Sequence, residues 1–316
     1  MLTESQDMTR VLFILGCTAV GKSAVGVELA RRLGGEIVSV DSMMVYRRMD
    51  IGTAKPSREI RAEIPHHCID IVEPSESFSV ARYLSFADEA IARVSSAGKP
   101  VLLVGGSALY IKAVSEGLFD GPGADPVIRQ ALKARADREG LTTLHADLMQ
   151  IDPDAAGRVS PRDEKRIIRA LEVYRLTGKP ISRLQRQWDT QQFRYDCIFV
   201  GLRRSKEDTN RRINARVKAM IRQGLRDEVA SLLAEPAGLS PQAAQALGYA
   251  EMIEHLQGRC TLEQAVERIK INTRQFARRQ RTWFRHFRNV RWIDIHQDDT
   301  VDKIVQNVLR EISREL

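Results

Sequence analysis

The chain has 316 residues, of which 43% are hydrophobic and 28% are charged, and its formal net charge is +8. This composition is typical of a soluble globular protein with a large core, and it excludes disordered, collagen-like and coiled-coil chains. Because the chain has no run of 18 apolar residues and no signal-peptide pattern, we expect a cytoplasmic protein without a membrane segment.

The first part of the chain alternates apolar strands with amphipathic helices. This alternation predicts an α/β fold with a parallel sheet flanked by helices. The predicted elements are the strand Arg10–Gly16, the helix Lys22–Leu33, the strand Glu36–Val40, the helix Val80–Val94 and the strand Pro100–Val104.

The next segment lacks strand-like runs. Its helical periodicity predicts helices at Val127–Asp137, Leu141–Gln150 and Arg162–Leu176. A core strand, Tyr195–Leu202, then returns, followed by helices at 206–223, 225–234, 241–257 and 261–287 and a last strand, Val290–Ile295. We therefore predict a core of residues 1–124 and 191–316 with an all-helical insertion, residues 125–190. The last part of the core carries basic helices.

A phosphate-binding loop stands between the first strand and the first helix. Its residues are Gly16, Cys17, Thr18, Ala19, Val20, Gly21, Lys22 and Ser23, which match G-x-x-x-x-G-K-[ST]. The backbone amides of such a loop and the start of the helix bind a diphosphate, the lysine reaches its oxygens, and the Ser23 hydroxyl can hold Mg²⁺. The motif alone leaves open a kinase, an ATPase or a transferase that releases diphosphate. An ATP hydrolase is less favoured, because the strand Pro100–Val104 continues into Gly105-Gly106-Ser107 and not into an aspartate.

Asp41 follows the second strand. Since ligands bind at the carboxyl ends of parallel strands, this carboxylate should face the phosphate loop. There it could ligate Mg²⁺, cap the next turn, or act as a general base.

Several blocks in chain order now indicate a family. They include Asp41–Arg47 (DSMMVYR), Met49–Pro56 (MDIGTAKP), Gly105–Tyr110 (GGSALY), Arg212–Val217 (RINARV) and Arg279–Phe284 (RQRTWF). Together they resemble the tRNA dimethylallyltransferase family over nearly the whole chain. That resemblance implies transfer of a dimethylallyl group from dimethylallyl diphosphate to N6 of the adenosine 3′-adjacent to the anticodon, with Mg²⁺ as the cofactor. A nucleoside or nucleotide kinase and a non-catalytic RNA-binding P-loop protein remain alternatives.

The resemblance also assigns residues, and it implies that the helical insertion, residues 125–190, contacts tRNA. It implies Asp41 as the base, Thr18 and Arg216 as further catalytic residues, and Arg216 as a clamp on the diphosphate beside the phosphate loop. Many members carry Gln where Met44 stands. The segments that would touch tRNA contain Asp41, Ser42, Met43, Met44, Ser107, Arg129, Lys165, Arg166, Ile167, Ile168, Arg169, Gln245, Ala246, Leu247, Gly248, Tyr249, Ala250, Arg278, Arg279, Gln280, Arg281, Thr282, Trp283, Phe284 and Arg285.

Charge distribution independently indicates a polyanionic partner. Residues 1–150 carry a net charge of −2 and residues 151–316 carry +10, and every charge from Arg268 to Arg291 is positive. Within that segment the arginine spacing of four, three, four and three predicts one helical stripe, formed by Arg274, Arg278, Arg281, Arg285 and Arg288. We expect this stripe to bind the tRNA backbone, and we expect the protein to be a monomer.

Overall fold

The structure is a computed structural model that describes residues 8–119, 121–185 and 192–313. Its strands are β1 (Arg10–Leu15), β2 (Glu36–Val40), β3 (His66–His67), β4 (Val101–Gly105), β5 (Asp196–Arg203) and β6 (Val290–Asp294). In the described ranges all six pair in parallel, in the order β3-β2-β4-β1-β5-β6. The parallel α/β class is therefore confirmed.

The helices of the described residues complete the architecture. In chain order they are α1 (Lys22–Leu33), α2 (Arg58–Glu63), α3 (Val80–Ser96), α4 (Ala108–Glu116), α5 (Pro126–Glu139), α6 (Leu141–Ile151), α7 (Pro153–Arg158), α8 (Glu164–Thr177), α9 (Ile181–Leu184), α10 (Lys206–Arg222), α11 (Leu225–Ala234), α12 (Pro241–Ala244), α13 (Tyr249–Leu256), α14 (Leu262–Phe284) and α15 (Val301–Ile312).

The central strands of the sheet, β1 and β4, are almost entirely buried. In β1 every residue after Arg10 is buried, as is all of β4, which is the pattern of strands covered on both faces. Helix α1 packs on β1, β2 and β4, and Gly26 allows its close approach, since a Cβ there would stand 2.7 Å from Val104 Cγ2. The apolar strands and this helix fix the edge at which the phosphate loop lies.

The chain divides into two compact units. One comprises Met1–Ser115 and Phe193–Leu316, and the other comprises Glu116–Gln192. Within the described part of the second unit all regular structure is helical, and its core contains Leu132, Leu144, Leu148, Ile167 and Leu171. The role in RNA contact that we assigned to residues 125–190 stays a prediction.

Some predicted elements were wrong in extent. The helix predicted over 241–257 is two helices, because Gln245–Gly248 forms a turn in which Gly248 has a φ of 91°. The helix predicted over 261–287 ends at Phe284. Helices α4 and α15 were not predicted. In α4 apolar residues fill most positions, so it lacks a polar stripe, whereas α15 has clear helical spacing that the prediction overlooked.

Candidate active site

The phosphate loop turns sharply between β1 and α1. Gly16, Ala19 and Gly21 all have positive φ, of 145°, 64° and 114°. A Cβ on Gly16 would stand 2.5 Å from the carbonyl oxygen of Leu202, so no larger residue fits there. Gly21 is the residue before the first turn of α1, where free backbone amides and the helix dipole favour an anion.

Lys22 lies against this loop. Its Nζ donates a hydrogen bond to the carbonyl oxygen of Cys17 at 2.9 Å. The pKa of Lys22 is lowered from 10.5 to about 8, mainly by burial and in part by the positive charge of Arg216, against the opposing effects of Cys17 and Asp41. A buried cation of this kind is stabilised when an anion binds beside it.

Two arginines of α10 approach the loop from another side. Arg212 Nε donates to the carbonyl oxygen of Ala19 at 2.8 Å, which ties α10 to the loop. Burial and the neighbouring charge of Arg212 lower the pKa of Arg216. Among the described residues, the Arg216 guanidinium has no hydrogen bond or ion pair. Its donors are therefore available to a ligand.

Asp41 both caps a turn and faces the site. Its Oδ1 accepts hydrogen bonds from the backbone amides of Met43, at 2.8 Å, and Met44, at 3.3 Å. No described residue hydrogen-bonds its Oδ2. One carboxylate oxygen thus holds the turn after β2, while the other can take a proton from a substrate.

A first cavity, of about 290 Å³, surrounds the phosphate loop. Thr18, Lys22, Ser23, Asp41 and Arg216 line its polar part. Its apolar part includes Ile37, Met44, Ile69 and Val104.

A second cavity, of about 330 Å³, has a different lining. Segments that are distant in the chain form it, with many apolar side chains. They include Ser42, Met43, Ser107, Ile213, Val217, Met220, Gln245, Ala246, Leu247, Gly248, Ile269, Thr273 and Arg279. Both cavities share a group of residues that we call the junction: Thr18, Asp41, Thr53, Ala54, Arg216 and Phe276. All three predicted catalytic residues belong to the junction.

Comparison with known proteins agrees with this geometry. A sequence profile described as IPP transferase matches residues 44–287. The chain belongs to the IPP transferase family. A tRNA dimethylallyltransferase of Geobacter metallireducens is 45% identical over 291 residues, which cover 92% of this chain and 94% of that protein.

Two solved structures show the same fold. The tRNA isopentenylpyrophosphate transferase of Bacillus halodurans is 40% identical with a TM-score of 0.69, covering 96% of this chain and 97% of that one. A eukaryotic dimethylallyltransferase acting on tRNA is 27% identical with a TM-score of 0.80, covering 97% and 79%.

Some of the predicted tRNA residues of the core line the second cavity. Members from four separate segments line the second cavity, namely Asp41–Met43, Ser107, Gln245–Gly248 and Arg279. Met44 lies elsewhere. It lines the first cavity, where its Sδ accepts a hydrogen bond from Ser39 Oγ at 3.6 Å, and its contact with tRNA stays a prediction.

Several of the predicted tRNA residues have buried side chains. Ala246, Tyr249, Gln280, Phe284, Ile167 and Ile168 are each less than 9% exposed. Their packing leaves little side-chain surface for contact with RNA, although Ala246 lines the second cavity and Gln280 lines the first. The Tyr249 hydroxyl donates a hydrogen bond to Glu228 Oε1 at 2.6 Å, and Phe284 packs against Phe287 and Trp292.

The predicted arginines of the helical unit surround one buried carboxylate. Glu172 is fully buried and accepts hydrogen bonds from Arg129 Nε at 2.8 Å and Arg169 Nη1 at 2.7 Å. Arg169 also donates to the carbonyl oxygen of Pro122. Both arginines therefore have a structural role, whereas Arg166 is exposed on α8, beside Lys165.

The arginine stripe on α14 is shorter than predicted. Arg288 lies beyond the end of α14, and Arg274 donates to Asn214 Oδ1 at 2.9 Å. Arg278 and Arg285 are exposed, Arg281 is half-buried, and no described residue pairs with any of the three. These three side chains are available to phosphate.

Sequence reasoning missed the support of the loop that carries Thr53. The carboxylate of Glu228 accepts hydrogen bonds from three consecutive backbone amides, those of Asp50 (3.0 Å), Ile51 (2.8 Å) and Gly52 (3.2 Å). The partners are about 180 residues apart in the chain, so no local pattern could have indicated the contact. Glu228 thereby fixes the loop whose Thr53 and Ala54 line both cavities.

Proposed function

We propose that the protein transfers the dimethylallyl group of dimethylallyl diphosphate to N6 of the adenosine 3′-adjacent to the anticodon of tRNA. The junction carries this proposal. Thr18, Asp41 and Arg216 line both a cavity built around a phosphate loop and a cavity lined by residues that resemble the family's tRNA contacts. The names and fold of the relatives support the same reaction.

In this proposal the first cavity binds the diphosphate. The amides of the phosphate loop, Lys22 and the unpaired Arg216 provide hydrogen-bond donors and positive charge. As the bond between C1 and oxygen breaks, negative charge grows on the leaving diphosphate, and these groups stabilise it.

Magnesium fits the same end of the cavity. Ser23 and Asp41 both line it and offer oxygen atoms, the ligand type that Mg²⁺ prefers, and Mg²⁺ commonly binds one or two protein oxygens together with substrate phosphates. The Ser23 hydroxyl would hold the ion against the diphosphate. Its charge would neutralise part of the charge on the leaving group.

The second cavity receives the adenine. An exocyclic amine is a weak nucleophile, so removal of its proton during attack assists the reaction. The free Oδ2 of Asp41 takes a proton from N6 as the nitrogen forms its bond to C1, and diphosphate departs. Thr18 lies at the same junction and orients the reacting groups. Bringing a base of the anticodon loop into this cavity requires its unstacking, which costs a few kcal/mol.

The tRNA backbone is bound outside the cavities. Arg278, Arg281 and Arg285 are proposed to contact phosphates, and Lys165 and Arg166 to do so from the helical unit. The protein acts as a monomer in this proposal. No helix within the described ranges is long and apolar enough to cross a membrane.

A transfer assay tests the proposal. The protein is incubated with Mg²⁺, tRNA and dimethylallyl diphosphate labelled in the prenyl group, and the RNA is then isolated. We expect label in the RNA at one adenosine. ATP-dependent phosphate transfer without any prenyl transfer would contradict the proposal and support a kinase.

A further inference from the structure

Gln280 lies in the basic segment of α14, yet its side chain points away from solvent. It is 6% exposed. Its Oε1 accepts a hydrogen bond from the backbone amide of Thr18 at 2.8 Å, and its Nε2 donates to the carbonyl oxygen of Gly106 at 2.9 Å. One amide group therefore joins the phosphate loop after β1 to the turn after β4.

The absence of a side chain at Gly106 leaves room for the Gln280 amide. A Cβ on Gly106 would stand 2.5 Å from Gln280 Nε2, closer than real Cβ contacts allow, and 3.3 Å from Lys22 Nζ. Any side chain at Gly106 would therefore displace the Gln280 amide. The glutamine and the glycine form one unit that packs beside the Lys22 ammonium.

We propose that Gln280 is a positioning residue for the diphosphate and not a contact of the RNA. By holding the Thr18 amide, it keeps the phosphate loop in one conformation before the anion arrives. Preorganisation of this kind improves binding because less freedom is lost when the ligand binds. The inference rests on the proposed function, and it assigns to Gln280 a role opposite to the RNA contact that its segment suggests.

The substitution Gln280→Met tests the inference. Methionine is also unbranched and of similar length, but it cannot replace either hydrogen bond. We expect the Kd for inorganic pyrophosphate, measured by calorimetry, and the KM for dimethylallyl diphosphate to rise about ten-fold, while the Kd for tRNA stays within about two-fold. A weakened tRNA Kd with unchanged pyrophosphate binding would overturn the inference, as would no change in either.

Two further variants complete the test. Gln275→Met replaces an exposed glutamine on the same helix and should change neither Kd. Gly106→Ala should reproduce the loss of pyrophosphate affinity, and the double variant with Gln280→Met should lose less than the product of the two separate effects, because both remove the same contact. Fully independent effects would contradict the shared unit.

The pyrophosphate measurement also separates two possible failures. Binding of pyrophosphate requires no prenyl transfer. If the wild-type protein binds pyrophosphate but transfers no prenyl group, the proposed function fails while the role of Gln280 can still be decided. Thermal unfolding of each variant establishes that the protein compared is folded.

Discussion

The two cavities differ in how the chain builds them. One continuous segment, Gly16–Ser23, contributes Thr18, Lys22 and Ser23 to the wall of the first cavity, and its backbone geometry suits an anion. Five or more segments from distant parts of the chain line the second cavity. The proposed diphosphate site is therefore largely encoded by one local motif, whereas the proposed site for the adenine requires the assembled fold. Only the junction belongs to both sites.

The largest expected effect is at the junction. Asp41→Asn keeps an oxygen that can accept the Met43 and Met44 amides but removes the basic oxygen. We expect turnover at saturating substrates to fall by about 100-fold or more, because the proton of N6 loses its acceptor. The free energy of unfolding should change little, since Asn and Asp cap equally well. Single-turnover kinetics near the wild-type rate would show that Asp41 only caps the turn.

Removing a cation should weaken binding of the diphosphate in the first cavity. Arg216→Ala and Lys22→Ala each remove a charged donor worth about 1.5–3 kcal/mol, so the affinity for dimethylallyl diphosphate should fall about 10- to 150-fold. Titration of the diphosphate by calorimetry measures this. Lys218→Ala, which changes an exposed residue on the same helix, is the control and should bind normally. Normal diphosphate affinity in Arg216→Ala would show that Arg216 does not bind the diphosphate.

The depressed pKa of Lys22 predicts a pH dependence of the same cavity. Lys22 binds an anion in its charged form, and burial holds its pKa near 8. The contribution of Lys22 to pyrophosphate affinity should therefore be nearly constant below about pH 7 and decline above pH 8, by up to about ten-fold per pH unit. The Lys22→Ala variant should lose this decline. An equally steep decline in that variant would assign the dependence to another group.

The smallest expected effect concerns RNA binding outside the cavities. Arg278→Ala and Arg285→Ala should each reduce the magnitude of the slope of log affinity against log salt by about 0.7–0.9. Each variant makes one phosphate contact fewer and therefore releases fewer counterions when RNA binds. Turnover with saturating tRNA should change little. Arg274→Ala is the comparison: the Arg274 side chain donates a hydrogen bond to Asn214, so its removal should change the slope less. If the double variant keeps the wild-type slope, these arginines form a solvated surface.

The same contrast explains what could be predicted from the sequence. The sheet and the phosphate loop follow from apolar strands and a contiguous motif, and both were predicted. The turn Gln245–Gly248 was predicted as helix, because its apolar residues keep helical spacing until Gly248 interrupts it. Gln280 and Glu228 act on backbone groups more than 170 residues away, so no local pattern indicates their roles. The family resemblance included Gln280 among the tRNA segments, but only the fold shows that its side chain is buried.

The most direct test of the central claim follows both halves of one substrate. Dimethylallyl diphosphate carrying one label in the prenyl group and a second in the diphosphate is incubated with tRNA and the protein, and the RNA is digested to nucleosides. We expect the prenyl label on N6 of the adenosine 3′-adjacent to the anticodon, with one labelled diphosphate released for each prenyl group transferred. Phosphorus label in the RNA, or diphosphate release without a prenylated adenosine, would contradict it.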